Sequence, residues 1–267
     1  MLIAQLSDLH VTEAGRLANN VVDTNGLAAR AFAAMRAAPN RPDLVLLTGD
    51  LVEAGRPDQY RNFASIMQQL PAPVFAIPGN HDDRDAMRAI LGDLVPTRDP
   101  AFIQYVIDDF PVRVVMLDTL VPGSDHGELC ERRLSFLEDA LAQAPERPTV
   151  VAMHHPPLAV GIEHMDRIAL RNPERFASVI TRHKQVQRIL CGHVHRAAFG
   201  ACAHAIVAVA PSVAHQVELN LTPGAAGAFI FEPGGYFLHQ STPAAGMISH
   251  LAFAGEYKGP YLFGAVP

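Results

Sequence analysis

The chain carries five short segments whose side chains are of the types that bind metal ions. These segments are Asp8-Leu9-His10, Gly49-Asp50, Gly79-Asn80-His81-Asp82, His154-His155 and Gly192-His193-Val194-His195. Each alone is a weak signal, because an Asp-x-His is often a surface pair and a Gly-Asp is often a turn with a capping aspartate. The Gly-His-x-His segment is stronger, because two imidazoles two residues apart in an extended segment point to the same side. Together the five indicate a metal site with carboxylate, amide and imidazole ligands.

The number of candidate ligands indicates two ions rather than one. The seven side chains are Asp8, His10, Asp50, Asn80, His154, His193 and His195. This set exceeds what one ion needs when it keeps a coordination position open. Two ions a few ångströms apart, sharing one carboxylate, hold a common hydroxide and clamp the attacking and leaving oxygens of an in-line displacement. The sequence therefore predicts a binuclear hydrolytic centre.

Short apolar runs of strand type precede these segments, and helical patterns lie between them. The predicted strands are Leu2–Leu6, Leu44–Leu47, Val74–Ile77, Val112–Leu117, Thr149–Met153 and Gln187–Leu190, and the predicted helices cover residues 25–38, 57–69, 83–92, 131–143 and 173–183. This alternation is typical of βαβ units and an α/β fold with a partly parallel sheet. Because ligands bind outside the carboxyl ends of such strands, we expect the five segments to meet at one crevice.

The pattern changes after residue 200, where strand-like runs are separated by turns and no helical pattern intervenes. We predict that residues 1–200 form the core with all metal ligands. Residues 201–267 are expected to complete a second sheet within the same single domain. The aromatic tail, residues 255–263, has two interpretations, a strap across the core or a cap or subunit contact. The second predicts a homo-oligomer, a dimer or larger.

Composition and charge indicate an ordinary globular protein. Residues are 49% hydrophobic and 18% charged, and the formal net charge is −6. No Lys/Arg run forms a basic stripe, so we expect no nucleic-acid partner. The N-terminus lacks the basic region of a signal peptide, and no apolar run approaches the ~18 residues of a membrane helix, so we expect no membrane association. The 3 cysteines include no Cys-x-x-Cys pair, which favours a reducing cytoplasm.

The five segments resemble the motif set of the calcineurin-like metallophosphoesterase superfamily, which is D-x-H, G-D, G-N-H-[DE], H and G-H-x-H. Every motif is present between residues 7 and 195. The compact spacing is most similar to that of the class III cyclic nucleotide phosphodiesterases and the bacterial glycerophosphodiesterases. The resemblance implies a four-layer α/β/β/α sandwich with two packed mixed sheets. It also implies an enzyme, a metal-dependent phosphoric diester hydrolase.

The resemblance further divides the ligands between two ions. One ion would take Asp8, His10 and His195, the other would take Asn80, His154 and His193, and Asp50 would bridge them. The ions would be Mn, Fe or Zn, because nitrogen and oxygen ligands without thiolate permit all of these.

Two residues beside the ligands are implied to be catalytic. His81 would stabilise the phosphate charge or protonate the leaving oxygen, which an imidazole can do near neutral pH. Asp82 would orient Asn80 or His81 from behind. Asn80 and His81 would also contact the substrate. Further substrate contacts are expected from the loop 156–172, through His164, Asp166 and Arg167; the alternative is a loop with a few exposed charges.

Departures from related families favour a diester substrate. Phosphoprotein phosphatases of the superfamily carry an arginine that clamps a phosphate dianion where this chain has Ala54, although Arg56 lies close by. Purple acid phosphatases place a metal-bound tyrosine where this chain has Glu53. We therefore predict that a metal-bridging hydroxide hydrolyses a 3′,5′-cyclic nucleotide, a glycerophosphodiester or a similar small phosphodiester. A phosphomonoesterase and a non-catalytic metal-binding scaffold are the alternatives.

Overall fold

The computed structural model describes residues 1–242, 244 and 246–264. Its strands are β1 (Leu2–Leu6), β2 (Leu44–Thr48), β3 (Val74–Ile77), β4 (Tyr105–Ile107), β5 (Arg113–Leu117), β6 (Thr149–Met153), β7 (Val186–Cys191), β8 (Ala198–Cys202), β9 (Ala205–Val209), β10 (Gln216–Val217), β11 (Phe229–Ile230), β12 (Gly235–Thr242) and β13 (Gly246–Phe253). Its helices are α1 (Thr24–Ala37), α2 (Pro57–Met67), α3 (Arg84–Leu91), α4 (Glu131–Ala142), α5 (Glu163–Asp166) and α6 (Pro173–Arg182), with a 3₁₀ turn at Gly92–Leu94.

The strands and helices predicted for the first two thirds of the chain are all present, within two residues of their predicted bounds. The prediction missed β4, α5, β8 and β13. The first two are 3 and 4 residues long, which is too short for a periodic pattern to register. Strand β13 carries two consecutive polar residues, Ser249 and His250, at its centre, and these interrupt the apolar run by which the other strands were predicted.

The strands form two large mixed sheets and one small pair. The order is β13-β12-β1-β2-β3 in the first sheet and β4-β5-β6-β7-β9-β8 in the second, with β10 and β11 apart. In the first sheet β1, β2 and β3 are parallel, and in the second β5, β6, β7 and β9 are parallel. The outer strands are antiparallel to them. The predicted α/β fold with two mixed sheets is therefore confirmed.

The C-terminal strands are divided between the two sheets, which corrects the prediction that residues 201–267 complete the second one. Strand β9 joins the second sheet, but β12 pairs with β1 of the first sheet, in a register that runs from Leu2 opposite Gln240 to Gln5 opposite Phe237. Strand β13 then pairs with β12. A strand's own sequence predicts its conformation but does not say which open sheet edge it will cover.

Alternate residues of the central strands face different layers of the molecule. Val114 and Met116 of β5 pack in a core cluster with the first sheet and with α1, α2 and α3. Val115 and Leu117 of the same strand pack in a second cluster with α4 and α6. Because side chains alternate across a strand, the two sheets lie face to face with helices outside each, as an α/β/β/α sandwich requires.

The aromatic tail lies on the surface. Tyr257, Tyr261, Leu262 and Phe263 are all more than half exposed. The strap interpretation is therefore wrong up to residue 264, and the cap or subunit contact stays a prediction; residues 265–267 lie outside the described part of the chain. Within the described residues, no helix is both long enough and apolar enough to cross a lipid bilayer.

The carboxyl ends of parallel strands from both sheets are joined at one edge of the sandwich. Gln5 Nε2 at the end of β1 donates to Thr48 Oγ1 at 3.1 Å and to Cys191 O of the other sheet at 2.8 Å. Beyond β7, the Gly192 amide donates to the His154 carbonyl beyond β6 at 2.9 Å. These bonds bring the polar segments after the strands together.

Candidate metal centre

The loops at this edge hold their side chains with an unusual backbone. The φ angles of Asp8, His10, Asp50, His193 and His195 are 56°, 48°, 51°, 71° and 52°. Positive φ is uncommon outside glycine, and residues held in it cluster at functional sites. The amides of Asp8 and His10 donate to carbonyls in the turn after β2 at 3.1 and 3.0 Å, which fixes this geometry.

Four buried side chains form a first cluster, which consists of Asp8, His10, Asp50 and His195. His10 Nε2 lies 3.0 Å from His195 Nε2 and 3.7 Å from Asp50 Oδ2. His195 Nε2 lies 3.5 Å from Asp8 Oδ1. Four atoms of ligand type from the three loops after β1, β2 and β7 thus converge on one point.

In the first cluster, the lone pairs on His10 Nε2 and His195 Nε2 point toward each other. His10 Nδ1 lies 2.9 Å from Glu53 Oε2, and His195 Nδ1 lies 3.0 Å from His215 O. Both partners accept only, so both Nδ1 atoms donate and both Nε2 atoms carry lone pairs. Burial and neighbouring histidines hold the pKa of His10 and of His195 well below the ordinary value, so neither gains a second proton. A cation between the two Nε2 atoms would relieve this repulsion.

A second cluster shares the Asp50 carboxylate and adds Asn80, His154 and His193. Asn80 Oδ1 lies 3.1 Å from His154 Nε2 and 3.0 Å from His193 Nδ1, and His154 Nε2 lies 3.3 Å from Asp50 Oδ2. His154 Nδ1 donates to the Thr48 carbonyl at 2.7 Å, so its Nε2 faces two oxygen acceptors. Burial is the strongest single influence and opposes a charge on His154, but attraction to Asp50 and Asp8, together with hydrogen bonds to Asp50 and to the Thr48 carbonyl, raises its pKa to about 9. This position therefore attracts positive charge.

Both clusters fit coordination by nitrogen and oxygen. Around a four-coordinate Zn²⁺ with bonds of about 2.1 Å, neighbouring ligand atoms lie about 3.4 Å apart. The contacts described above run from 3.0 to 3.7 Å, and all ligand atoms of the first cluster lie within 4.8 Å of one another. Asp50 Oδ2 belongs to both, as a bridging carboxylate requires. The structure thus brings all seven predicted ligands together, in two adjacent clusters.

Comparison with known proteins matches residues 1–197 to the calcineurin-like phosphoesterase family. The chain belongs to this family. It is 35% identical to a probable glycerophosphodiester phosphodiesterase of Arcobacter nitrofigilis, over 98% of this chain and 97% of the relative. It is 34% identical to a 3′,5′-cyclic adenosine monophosphate phosphodiesterase of Escherichia coli K12, over 73% of this chain and 69% of the relative. A dimetal phosphatase of Danio rerio shares the fold, with a TM-score of 0.64, 15% identity and coverage of 96% and 99%.

In this calcineurin-like phosphoesterase, His81 lies beside the clusters rather than within either. Its ring is 4.6 Å from that of His10, and its Nδ1 donates to the Glu53 carbonyl at 2.7 Å. Its amide donates to Asp50 Oδ1 at 2.9 Å, which ties the residue to the shared carboxylate. Burial is the strongest single influence and lowers the pKa of His81, but attraction to Asp50, Glu53 and Asp82, together with the hydrogen bond to the Glu53 carbonyl, raises it above the ordinary value. The placement suits a proton donor.

Asp82 holds the loop backbone rather than the side chain of Asn80 or His81, which corrects its expected role. Its Oδ2 accepts from the amides of Gly79 at 2.9 Å and Leu51 at 3.2 Å. Its Oδ1 accepts from the Tyr60 hydroxyl at 2.9 Å. The buried carboxylate therefore locks the loops after β2 and β3 to each other.

Of the three substrate contacts predicted in the loop 156–172, only His164 lies at the site. His164 lines the cavity above the clusters, with Met165 and Ile168. Asp166 instead accepts from the amides of residues 160 and 161 at 2.7 and 3.0 Å, which closes its own loop. Arg167 pairs with Glu163 on the exposed surface, at 2.9 Å. Asp166 and Arg167 therefore do not reach the cavity, and their predicted substrate contacts have no support.

Three polar residues outside the predicted set also line this cavity, which measures about 210 Å³: Asn19, Glu53 and His215. His215 follows β9, whose carboxyl end lies at the same edge as those of β1 and β7. That strand end was the one signal for His215 in the sequence. Glu53 likewise follows the end of β2, but its hydrogen bond to His10 Nδ1 could not be predicted from the sequence.

Proposed function

We propose that this chain is a binuclear-metal phosphodiesterase that hydrolyses small phosphodiesters, either glycerophosphodiesters or 3′,5′-cyclic nucleotides. The observation that carries the proposal is the position of Asp50, whose Oδ2 lies 3.7 Å from His10 Nε2 and 3.3 Å from His154 Nε2. The names of relatives at 34–35% identity support these two substrate classes. When bound, two metal ions would neutralise phosphate oxygens and activate water.

The chain's own groups would orient the diester and supply a proton. Because His81 Nδ1 is occupied by the Glu53 carbonyl, its Nε2 is the nitrogen left for the substrate. The raised pKa of His81 favours the protonated ring. Cleavage of an alkyl ester leaves a strongly basic alkoxide, and a proton from His81 Nε2 to that oxygen makes departure easier.

The charges around the cavity favour a diester over a monoester. Among the described residues that line it, none is Arg or Lys. Arg56, which lies near the position of the missing clamp, is paired with Glu13 and precedes helix α2 instead of lining the cavity. A monoester dianion therefore finds no extra cation here to balance its second charge.

Turnover of bis(p-nitrophenyl) phosphate and p-nitrophenyl phosphate by the Mn²⁺-loaded protein tests the proposal, with Asn80→Ala as the control. We expect the diester to be preferred and the variant to be poor on both. Preference for the monoester would contradict the argument from Ala54 and favour a phosphomonoesterase. No turnover with two metals bound would favour the scaffold. Glycerophosphocholine against cyclic AMP then separates the two diester classes.

Three finer points belong to the same proposal. The ions are Mn, Fe or Zn, and two bind per chain; elemental analysis of purified protein checks both. The exposed tail around Tyr257 and Phe263 supports a homo-oligomer, and light scattering that shows a monomer at micromolar concentration would exclude it. The cysteines are free thiols, which supports a reducing cytoplasm.

A further inference from the structure

Glu53 lies in the wall of the cavity, and its carboxylate has no part in the proposed reaction. Its Oε2 lies 2.9 Å from His10 Nδ1, and its side chain is only 25% exposed. Because the carboxylate accepts, His10 must donate from Nδ1 and present the lone pair of Nε2 to the first cluster. Glu53 therefore fixes both the tautomer and the orientation of a candidate ligand.

The partner of Nδ1 differs among the imidazoles that present Nε2 to the clusters. His154 Nδ1 donates to Thr48 O at 2.7 Å, and His195 Nδ1 donates to His215 O at 3.0 Å. Both of these acceptors are neutral carbonyls. Of the three, within the described residues, His10 alone faces a carboxylate. A charged acceptor forms the stronger hydrogen bond and makes the opposite ring nitrogen more basic.

We propose that Glu53 is a positioning residue that sets the metal affinity of the first cluster through His10. The inference rests on the proposed binuclear function. We expect only one of the two metal affinities to change, because the Glu53 side chain bonds to His10 of the first cluster. Among the described residues, it forms no hydrogen bond with Asn80, His154 or His193. Partners of this kind typically change metal affinity about 10–100-fold when they are removed.

Glu53→Gln is the informative variant. The amide keeps the size of the side chain and can still accept from His10, and the backbone carbonyl that holds His81 is unchanged, so only the charge is lost. Glu138→Gln is a matched control, because Glu138 Oε1 makes a similar bond to His183 Nε2, at 2.9 Å, between α4 and the end of α6, away from the cavity. Equilibrium dialysis against graded Mn²⁺, with bound metal counted by mass spectrometry, gives both affinities.

We expect wild type and Glu138→Gln to bind two Mn²⁺ alike, and Glu53→Gln to lose about 10–100-fold in one affinity only. The loss should persist in an Asn80→Ala background, which spares the first cluster, and disappear in a His195→Ala background, which disables it. An unchanged unfolding temperature of the metal-free variant shows that its fold is intact.

A Glu53→Gln titration that superimposes on wild type would overturn the proposal. So would an equal fall in both affinities, or a loss accompanied by a lower unfolding temperature of the metal-free protein, since each points to a structural role for the residue. A wild-type chain that binds no Mn²⁺ would overturn the proposed function itself.

Discussion

Replacing His81 with alanine should slow hydrolysis more as the leaving group becomes poorer. His81 stands beside the first cluster with its Nδ1 held by the Glu53 carbonyl, and its pKa is raised by attraction to Asp50. A proton donor matters when the departing oxygen is a basic alkoxide and hardly at all when it is p-nitrophenolate. The variant therefore separates proton donation from stabilisation of the phosphate.

The size of the effect follows from the role. A positioned general acid contributes about 10²–10⁴-fold, or about 2.7–5.4 kcal/mol of barrier. We expect a loss in this range for His81→Ala on an alkyl diester and a loss below about tenfold on bis(p-nitrophenyl) phosphate. Since the acid must be protonated, the wild-type rate on the alkyl diester should fall as pH rises past the raised pKa, above about 6.5. That fall should vanish in the variant.

Measurement of kcat/KM on both substrates across pH tests this reasoning. His164→Ala is the control, because His164 also lines the cavity but, among the described residues, forms no hydrogen bond with Asp50 or Glu53. Metal content, measured in parallel, shows whether the clusters remain filled. Equal losses on the alkyl and nitrophenyl diesters with full metal content would refute proton donation and leave charge stabilisation as the role of His81.

Three other changes test different parts of the structure. Metal removal should lower the unfolding temperature by about 5–10 °C in calorimetry, since each site contributes about 2.7 kcal/mol at metal concentrations 100 times Kd; no change would argue against binding. Burial, with Arg188, lowers the pKa of His239 to about 3. Burial of the neutral ring therefore contributes its full stability above pH 6.5. As the pH falls from there toward 3, the free energy of unfolding decreases by about 1.4 kcal/mol per pH unit. Urea unfolding of metal-free His239→Gln should depend less on pH than wild type, and equal slopes would contradict this. Gly79→Ala would place a Cβ 2.1 Å from Asp50 Oδ1 and should cut turnover about 100-fold, whereas Gly92→Ala, which meets open space, should be neutral.

The ligands were predictable because their signal is local. Each polar segment follows a short apolar run, and parallel strands bring their carboxyl ends to one edge of a sheet. The positions of Asp50 and His154 follow from that rule alone, without knowledge of the strand order. The strand bounds were predictable for a similar reason, since strands buried on both faces read as continuous apolar runs such as Leu44–Thr48.

What the sequence could not predict depends on contacts between distant segments. Glu53 acquires its interest from a 2.9 Å contact with a residue 43 positions away. Arg167 has a suitable type and position in the chain, yet it turns to Glu163 because α5 places the two one helical turn apart. The hairpin of β12 and β13 covers the edge of β1. The hydrophobic pattern of a strand does not predict which of two open sheet edges the strand will pair with.

The geometry of the metal centre destabilises the metal-free protein. Five candidate ligand residues hold positive φ, each at about 1 kcal/mol or more, and the lone pairs of His10 and His195 meet at 3.0 Å. Bound cations would relieve the repulsion but not the backbone strain, which must be balanced by hydrogen bonds such as those of Asp82 to the loop amides. Loss of the Asp82 carboxylate should therefore weaken both clusters together, because it releases the loops that carry Asp50 and Asn80. Loss of the Glu53 charge should weaken one, and that contrast separates support of the backbone from support of a single ligand.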